Sequence, residues 1–381
     1  MKTSVYIVKC DSYEKADEKL LNLISLMGGM GQFAKPGEKI TLKVNLLSST
    51  APEKAVTTHP AIVSAVGKMA KKEGAIPLIA DSSGGPYNEG TLKKIYTTCK
   101  MYDAARLAGI EVNMDTGHDE VSFPEGKELK KMDVIKPITQ ADGVFNLCKM
   151  KTHALMHMTG AVKNHFGILP GLSKVGFHAK LFKKDRFADM LLDLALYVSP
   201  RLSIMDAVLA LEGEGPGASG TPRNVGLILA STNPLALDVV ASEIMGLPHE
   251  LNPVLLAAER RGLKPNRIED VDVIGEELST LIIPDYKFTK TVESLRAKNG
   301  NNTSREKKLY PVVIKEKCIG CGVCANSCPQ KTITMTTSQG KKQAFINTKN
   351  CIRCYCCHEL CPNKAIKIDT KRNPISKILK M

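Results

Sequence analysis

Eight cysteines toward the C-terminal end repeat one spacing, Cys318-x2-Cys321-x2-Cys324-x3-Cys328-Pro329 and Cys351-x2-Cys354-x2-Cys357-x3-Cys361-Pro362. A cubane cluster requires four thiolates at tetrahedral corners; three cysteines at x2 intervals wrap one loop around three irons, and the fourth must come from elsewhere. The pattern predicts two [4Fe-4S] clusters. In runs of this form the fourth cysteine ligates the other cluster, which assigns Cys318, Cys321, Cys324 and Cys361 to one site and Cys351, Cys354, Cys357 and Cys328 to the second. A tetrahedral zinc site has no use for three evenly spaced cysteines plus a crossing fourth. Cys318 to Cys351, Cys328 to Cys361 and Ile333 to Ile366 are each 33 residues apart. The segment is therefore an internal repeat, each half offering a strand, a cluster loop, a short helical turn and a second strand.

From about Tyr310 to Asp369 the chain resembles the bacterial dicluster ferredoxins, which implies a small α+β ferredoxin-like domain with two one-electron centres. Cys356 breaks the symmetry, standing beside Cys357 where the first copy has Val323; the repeat leaves no ligand position for it. Cys10, Cys99 and Cys148 lie on apolar runs and read as buried thiols. Charge is uneven: from Asn301 onward there are 16 Lys+Arg against 4 Asp+Glu, while the whole chain carries +14. Free dicluster carriers are usually acidic, so this basic module points to an acidic redox partner protein or to the chain's own larger domain. Nucleic acid is disfavoured, because aromatic residues for base stacking are few and Trp is absent. The mixed charge of the first twenty residues and the lack of an 18-residue apolar run predict no secretion signal and no membrane span, hence a reducing cytoplasm.

The polar stretch Ala297–Lys308 divides the chain. Residues 1–297 read as an α/β domain, 298–309 as a linker, 310–370 as the dicluster domain and 371–381 as a basic tail. In the first unit, strand signals at Ser4–Cys10, Lys39–Leu46, Ile76–Ala80, Val144–Cys148, Leu202–Met205, Val225–Ala230 and Val271–Ile274 alternate with helical spacing. Helices are expected at Ala16–Leu26, after Thr58 as N-cap, at Asp185–Leu196, at Pro234–Met245 and at Pro253–Arg261, with Leu92, Ile95, Cys99 and Tyr102 on the stripe of another. That order predicts a mostly parallel sheet with flanking helices.

Ligands in such folds sit beyond the carboxyl ends of strands, and four polar constellations fall there. Lys43 and Asn45 share one strand face. Asp81 opens the loop Ser82-Ser83-Gly84-Gly85. Behind Val144–Cys148 come His153, His157, Lys163, Asn164 and His165; if His153 starts a helix, His157 lies one turn on. Asp206 precedes an acidic glycine loop, Glu212 to Pro222, expected to be mobile and to cover a ligand. Its Gly215-x-Gly217-x-x-Gly220 lacks the strand before and helix after that a dinucleotide fingerprint requires.

Lys43-Val-Asn45, Thr57-Thr-His59-Pro60, the Asp81 loop, Lys149-Met-Lys151-Thr-His153, Thr159-Gly-Ala-Val-Lys-Asn-His165, Met205-Asp206 and Asn233-Pro-Leu-Ala-Leu-Asp238 together resemble the domain-of-unknown-function family 362. The resemblance spans roughly residues 3–290, and members often carry a C-terminal dicluster ferredoxin; it implies an α/β fold and no established reaction. The resulting expectation is an iron–sulfur protein of ferredoxin-type oxidoreductase character. Its dicluster domain passes single electrons to or from a site in the α/β domain, where His153, His157, Lys163, His165, Asp81 and Asp206 bind a small-molecule acceptor and manage protons. The alternative is a non-enzymatic carrier or adaptor that docks a separate redox partner. A flavin or other small molecule is compatible with the first reading, but no residue pattern supports it.

Overall fold

The computed structural model describes residues 2–299, 308–338 and 340–370. Residues 300–307 of the expected linker and the basic tail 371–381 lie outside the described residues. Among the described residues eleven strands precede the dicluster segment: β1 (Thr3–Lys9), β2 (Lys39–Lys43), β3 (Ile76–Ala80), β4 (Glu111–Val112), β5 (His118–Ser122), β6 (Lys131–Ile135), β7 (Gly143–His153), β8 (His157–Thr159), β9 (Leu202–Gly213), β10 (Gly220–Ser231) and β11 (Val271–Gly275). The main sheet runs β11-β1-β10-β9-β7-β2-β3-β4, with β8 paired to β7. Its pairs β1–β11, β2–β3, β2–β7, β3–β4 and β7–β9 are parallel, whereas β10 is antiparallel to both β1 and β9. The fold is α/β, a mostly parallel sheet with flanking helices. β5 and β6 form a separate hairpin.

Alternation along the central strands loads both faces of the sheet. Phe145 and Leu147 of β7 face a core with Ile40, Leu42, Ile204 and Ile228, covered by the helices Ala16–Leu26 and Pro60–Lys72. Val144 and Cys148 face the other core with Met205, Leu229 and Ile7, covered by the helices Lys184–Val198, Pro234–Met245 and Pro253–Arg260. A strand buried on both faces can be apolar along its length, which is why β7 and β9 read as near-continuous hydrophobic runs. Cys10, Cys99 and Cys148 are all fully buried.

Capping chemistry sets several boundaries. Asn233 accepts from the amides of Leu235 and Ala236, Pro234 takes the first helical position, and Gly246 closes that helix at φ 64°. The helix at Pro60 is capped by His59, whose Nδ1 accepts from the Ala61 amide, rather than by Thr58. Thr58 Oγ1 instead accepts from the Asn45 amide and donates to the Leu147 carbonyl, tying β2 to β7. The stripe Leu92–Tyr102 is split: helices Glu89–Thr98 and Met101–Ala108 meet at Lys100, which is left-handed at φ 59°. The helix expected from His153 is also replaced. Ala154–Met156 is a turn that sends β8 back along β7, and His153 pairs with His157 across the ladder. Tertiary pairing with the sheet overrode local helical spacing there.

In the C-terminal unit β12 (Leu309–Val313) pairs antiparallel with β15 (Ile366–Thr370), and β13 (Ile333–Ser338) with β14 (Lys341–Ile346). Short helices Val323–Asn326 and Cys356–Glu359 follow the two cysteine loops. The repeat is visible in the backbone. Gly320 and Arg353, Gly322 and Tyr355, and Lys331 and Lys364 are left-handed at φ 70° and 59°, 78° and 62°, and 50° and 50°. This unit is seated on the larger one, since Tyr355 and Ile368 belong to the hydrophobic core that contains Leu155, Phe187 and Val292.

Candidate functional site

The cysteines divide into two groups. Cys318, Cys321, Cys324 and Cys361 line one cavity together with Val313, Ile319, Met335 and Ala344. Cys328, Cys351, Cys354 and Cys357 line another with Ile333, Ile346, Ile352 and Tyr355. Each group thus takes three sulfurs from one copy and one from the other. The crossing cysteines are treated alike: the Thr332 amide donates to Cys328 Sγ at 3.3 Å and the Ala365 amide to Cys361 Sγ at 3.2 Å. An amide aimed at sulfur favours the thiolate, the form that binds metal. Among the described residues no three His, Cys, Asp or Glu side chains form a group that could hold a metal ion. The sulfurs instead stand around apolar-walled spaces, and four-thiolate sets of this kind fit iron–sulfur clusters.

A second feature opens where the two units meet. A cleft of about 710 Å³, including its open mouth, is lined by Asn45, Asp81, Lys151, Thr159, Lys163, Asn164, Phe166, Lys174 and His178 from the α/β unit and by Cys356, Glu359 and Leu360 from the dicluster unit. Lys43, Asp81 and Lys151 come from the carboxyl ends of β2, β3 and β7, where an open parallel sheet presents its loops.

The glycine loop seats the dicluster helix. A Cβ on Gly217 would lie 2.2 Å from the Glu359 carbonyl oxygen, so only a residue without a side chain lets that helix approach. The two ring nitrogens of His358 lie 2.6 Å from the Ile366 carbonyl and 3.1 Å from the Glu214 carbonyl. The loop that the sequence presented as a mobile cover is thus held beneath the Cys356–Glu359 helix.

Within the cleft the ionisable groups are close and largely buried. Lys43 Nζ is 2.7 Å from Asp81 Oδ1, and Asp81 Oδ2 accepts from the Leu46 amide at 2.6 Å. Lys151 donates to Asn45 Oδ1 and the Val56 carbonyl, both at 2.7 Å. His153 Nδ1 accepts from the Leu155 and Met156 amides, which leaves the ring proton on Nε2, 3.2 Å from Glu359 Oε1. Burial pushes the Lys43, Lys151 and Lys163 ammoniums down, Lys151 further by the Lys163 charge. It brings Lys174 to about 7 and His178 to about 3, so His178 is neutral. Burial also raises Glu359, opposed by the Lys163 charge.

Lys163 owes its position to a buried carboxylate. Asp238 accepts from the Ala161 and Val162 amides and so fixes the start of the short helix Ala161–Asn164. Gly160 permits this, because a Cβ there would lie 2.0 Å from Asp238 Oδ1.

Of the six residues expected to act together, Asp81 and Lys163 line the cleft, and His153 reaches it through Glu359. The other three stand apart. His157 is engaged by the Leu251 carbonyl at 2.5 Å and by Lys184 at 2.9 Å. His165 is fully buried, with Nδ1 3.2 Å from the Val162 carbonyl, and burial lowers it to about 3. Asp206 closes a separate network: Lys149 donates to it at 2.7 Å, Tyr13 Oη at 2.9 Å and the His59 amide at 2.9 Å, with Tyr13 stacked on His59. Its carboxylate is spent on structure.

Lys151, Lys174, His178, Asp238, Cys356 and Glu359 were not among the expected site residues. One signal was present for the last two. At the 33-residue offset, Gly322, Val323, Ala325 and Asn326 become Tyr355, Cys356, His358 and Glu359. The second copy diverges where it meets the α/β unit, and the divergent side chains are buried.

Comparison with known proteins finds two matching segments. A family model described as "Domain of unknown function (DUF362)" matches residues 40–243, and one described as "4Fe-4S dicluster domain" matches residues 317–365. A thylakoid-associated protein of Synechocystis sp. is 34% identical over 278 residues, 71% of this chain and 83% of that protein. The lactate racemase apoprotein from Thermoanaerobacterium thermosaccharolyticum aligns with a TM-score of 0.41 at 12% identity, over 65% of this chain and 58% of that one, less than two thirds of its length. Among the described residues no helix is long and apolar enough to cross a membrane.

Proposed function

This chain belongs to the DUF362 family and carries a 4Fe-4S dicluster domain, and from that premise we propose that it exchanges electrons with a small molecule held in the cleft between the two units. The observation that carries the reading is shared lining: Cys356 and Glu359, on the helix that includes Cys357, face the same space as Asp81, Lys151 and Lys163. Two clusters would be held by the two crossed cysteine sets, and each, when bound, supplies one-electron exchange. A two-electron acceptor takes two electrons, drawn singly from a one-electron donor protein, and two protons. Lys163 and Glu359 are placed to orient the molecule, with His153 Nε2 3.2 Å from Glu359 Oε1. Fusion of the units replaces a diffusional encounter with an intramolecular one. A further cofactor in the cleft is not required by this reading.

The donor would dock at the other cysteine set. Cys321 is exposed there, Ile319 of the same lining is 64% exposed, Lys317 stands next to Cys318 in sequence, and the Lys342 backbone lies beside Gly320. An apolar centre with basic surroundings suits an acidic redox protein.

The test uses the full chain, reconstituted and reduced without oxygen, then mixed with a panel of small oxidants. For an acceptor seated in the cleft, the reoxidation rate saturates with concentration. Lys163→Met raises the half-saturating concentration about tenfold without changing iron content or EPR spectra. Rates linear in concentration for every oxidant and indifferent to Lys163→Met would overturn the reading.

A further inference from the structure

The geometry points to a small organic or inorganic anion as the molecule the cleft takes, its acceptor-rich end at Lys163, Thr159 and Lys151 and one proton-bearing group at Glu359. This deepens the reading of the cleft as a binding site and rests on it. Hydrogen-bonding capacity that the protein leaves unspent around the cleft sets what it can take.

Each lysine ammonium offers three protons. Lys174 uses all of them, on the Ser82 carbonyl at 3.0 Å, Ser82 Oγ at 2.8 Å and the Leu169 carbonyl at 2.6 Å; it is a strut and has nothing left for a ligand. Lys43 uses two, on the Val44 carbonyl and Asp81. Lys151 also uses two, on Asn45 and Val56. Lys163 hydrogen-bonds no protein group among the described residues, its ammonium lying 5.6 Å from the centre of the Phe166 ring. Thr159 Oγ1 and His178 Nδ1 are buried without a hydrogen-bond partner, and both residues are more than nine-tenths buried.

The amides do not alter this balance. Asn45 Nδ2 donates to Asn164 Oδ1, while Asn164 Nδ2 donates to Asn146 Oδ1 and the Lys43 carbonyl. Asn45 Oδ1 is taken by Lys151. On the acceptor side Glu359 Oε1 has only His153 Nε2 near it, at 3.2 Å.

The unspent groups lining the cleft are therefore mostly donors, four N–H of them on the Lys151 and Lys163 ammoniums, with the Glu359 carboxylate across from them. A neutral occupant could accept from these donors but would leave the desolvated ammonium charges uncompensated and form only the weaker, neutral-acceptor hydrogen bonds. An anion with several oxygen acceptors, a carboxylate or a phosphate, satisfies them together. A hydroxyl or protonated acid on the same molecule satisfies Glu359.

Calorimetry on the oxidised, cluster-loaded full chain tests this, with inorganic phosphate, oxalate, malonate and succinate as anionic probes and malonamide as the neutral one. At least one anion is expected to bind with one-to-one stoichiometry while malonamide does not. Lys163→Met weakens that anion about 10- to 100-fold and Thr159→Val several-fold. Iron content and the absorption spectrum of each variant report that the fold and clusters persist. The inference is overturned if malonamide binds as tightly as malonate, if Lys163→Met leaves every anion's affinity unchanged, or if no anion binds. Because no reductant is present, the result is independent of electron transfer. An anion that binds but never reoxidises the reduced protein would leave this inference standing and count against the proposed function.

Discussion

Gly217→Ala probes how the two units are joined. The new Cβ would lie 2.2 Å from the Glu359 carbonyl oxygen and 3.1 Å from its carbon, so the Cys356–Glu359 helix must withdraw by about 1 Å to reach ordinary contact. Overpacking of this kind costs about 1–3 kcal/mol. The withdrawal also stretches the His358–Glu214 contact from 3.1 Å, a hydrogen bond worth about 0.5–1.5 kcal/mol. Together they weaken the seating by about 1.5–4.5 kcal/mol, equivalent to about 10- to 1600-fold in the opening equilibrium. Hydrogen exchange on the full cluster-loaded chain reads this directly. Amides of Cys356–Glu359 and Glu212–Gly220 should exchange faster by that factor while β2, β3 and β7 keep their protection. Gly176→Ala, where a Cβ meets nothing within 4 Å, is the matched control. If the helix and loop keep wild-type protection in Gly217→Ala, the glycine does not govern the seating and the argument from close approach fails.

Crossed ligation predicts how single cysteine losses group. Cys361→Ala should remove the same spectral component as Cys318→Ala, and Cys328→Ala the same component as Cys351→Ala; Mössbauer spectra in which Cys361→Ala matches Cys351→Ala would refute the pairing. Asp238 makes a prediction about pH. Burial raises its carboxyl from 3.8 to about 7, with the Ala161 and Val162 amides opposing. The folded chain thus holds a proton that the unfolded chain has released between those values. Its contribution to stability is fully present below pH 3.8 and is lost as pH rises through about 7. Urea midpoints measured from pH 5 to 8 should fall more steeply for the wild type than for Asp238→Asn; parallel curves would exclude the assignment.

The two cysteine runs were enough to specify a paired four-thiolate module, because ligand number and loop length are local constraints that spacing alone expresses. Hydrophobic runs and caps likewise placed the strands at Ile76–Ala80 and the helices at Ala16–Leu26 and Pro234–Met245 where the structure has them. The sequence could not say that β7 turns back at Ala154 instead of entering a helix, since that choice is made by ladder pairing with β8. Nor could it tell which polar residues converge. Asp206 and Lys163 look equally available in the chain, yet one is consumed by Lys149, Tyr13 and His59 while the other keeps its ammonium unspent in the cleft. Glu359 and Cys356 reach that cleft only because the second cysteine copy docks on the α/β unit across Gly217. Composition and spacing determine what each segment can bind; contact between distant segments, paid in close approach and burial, decides which groups remain free to bind it.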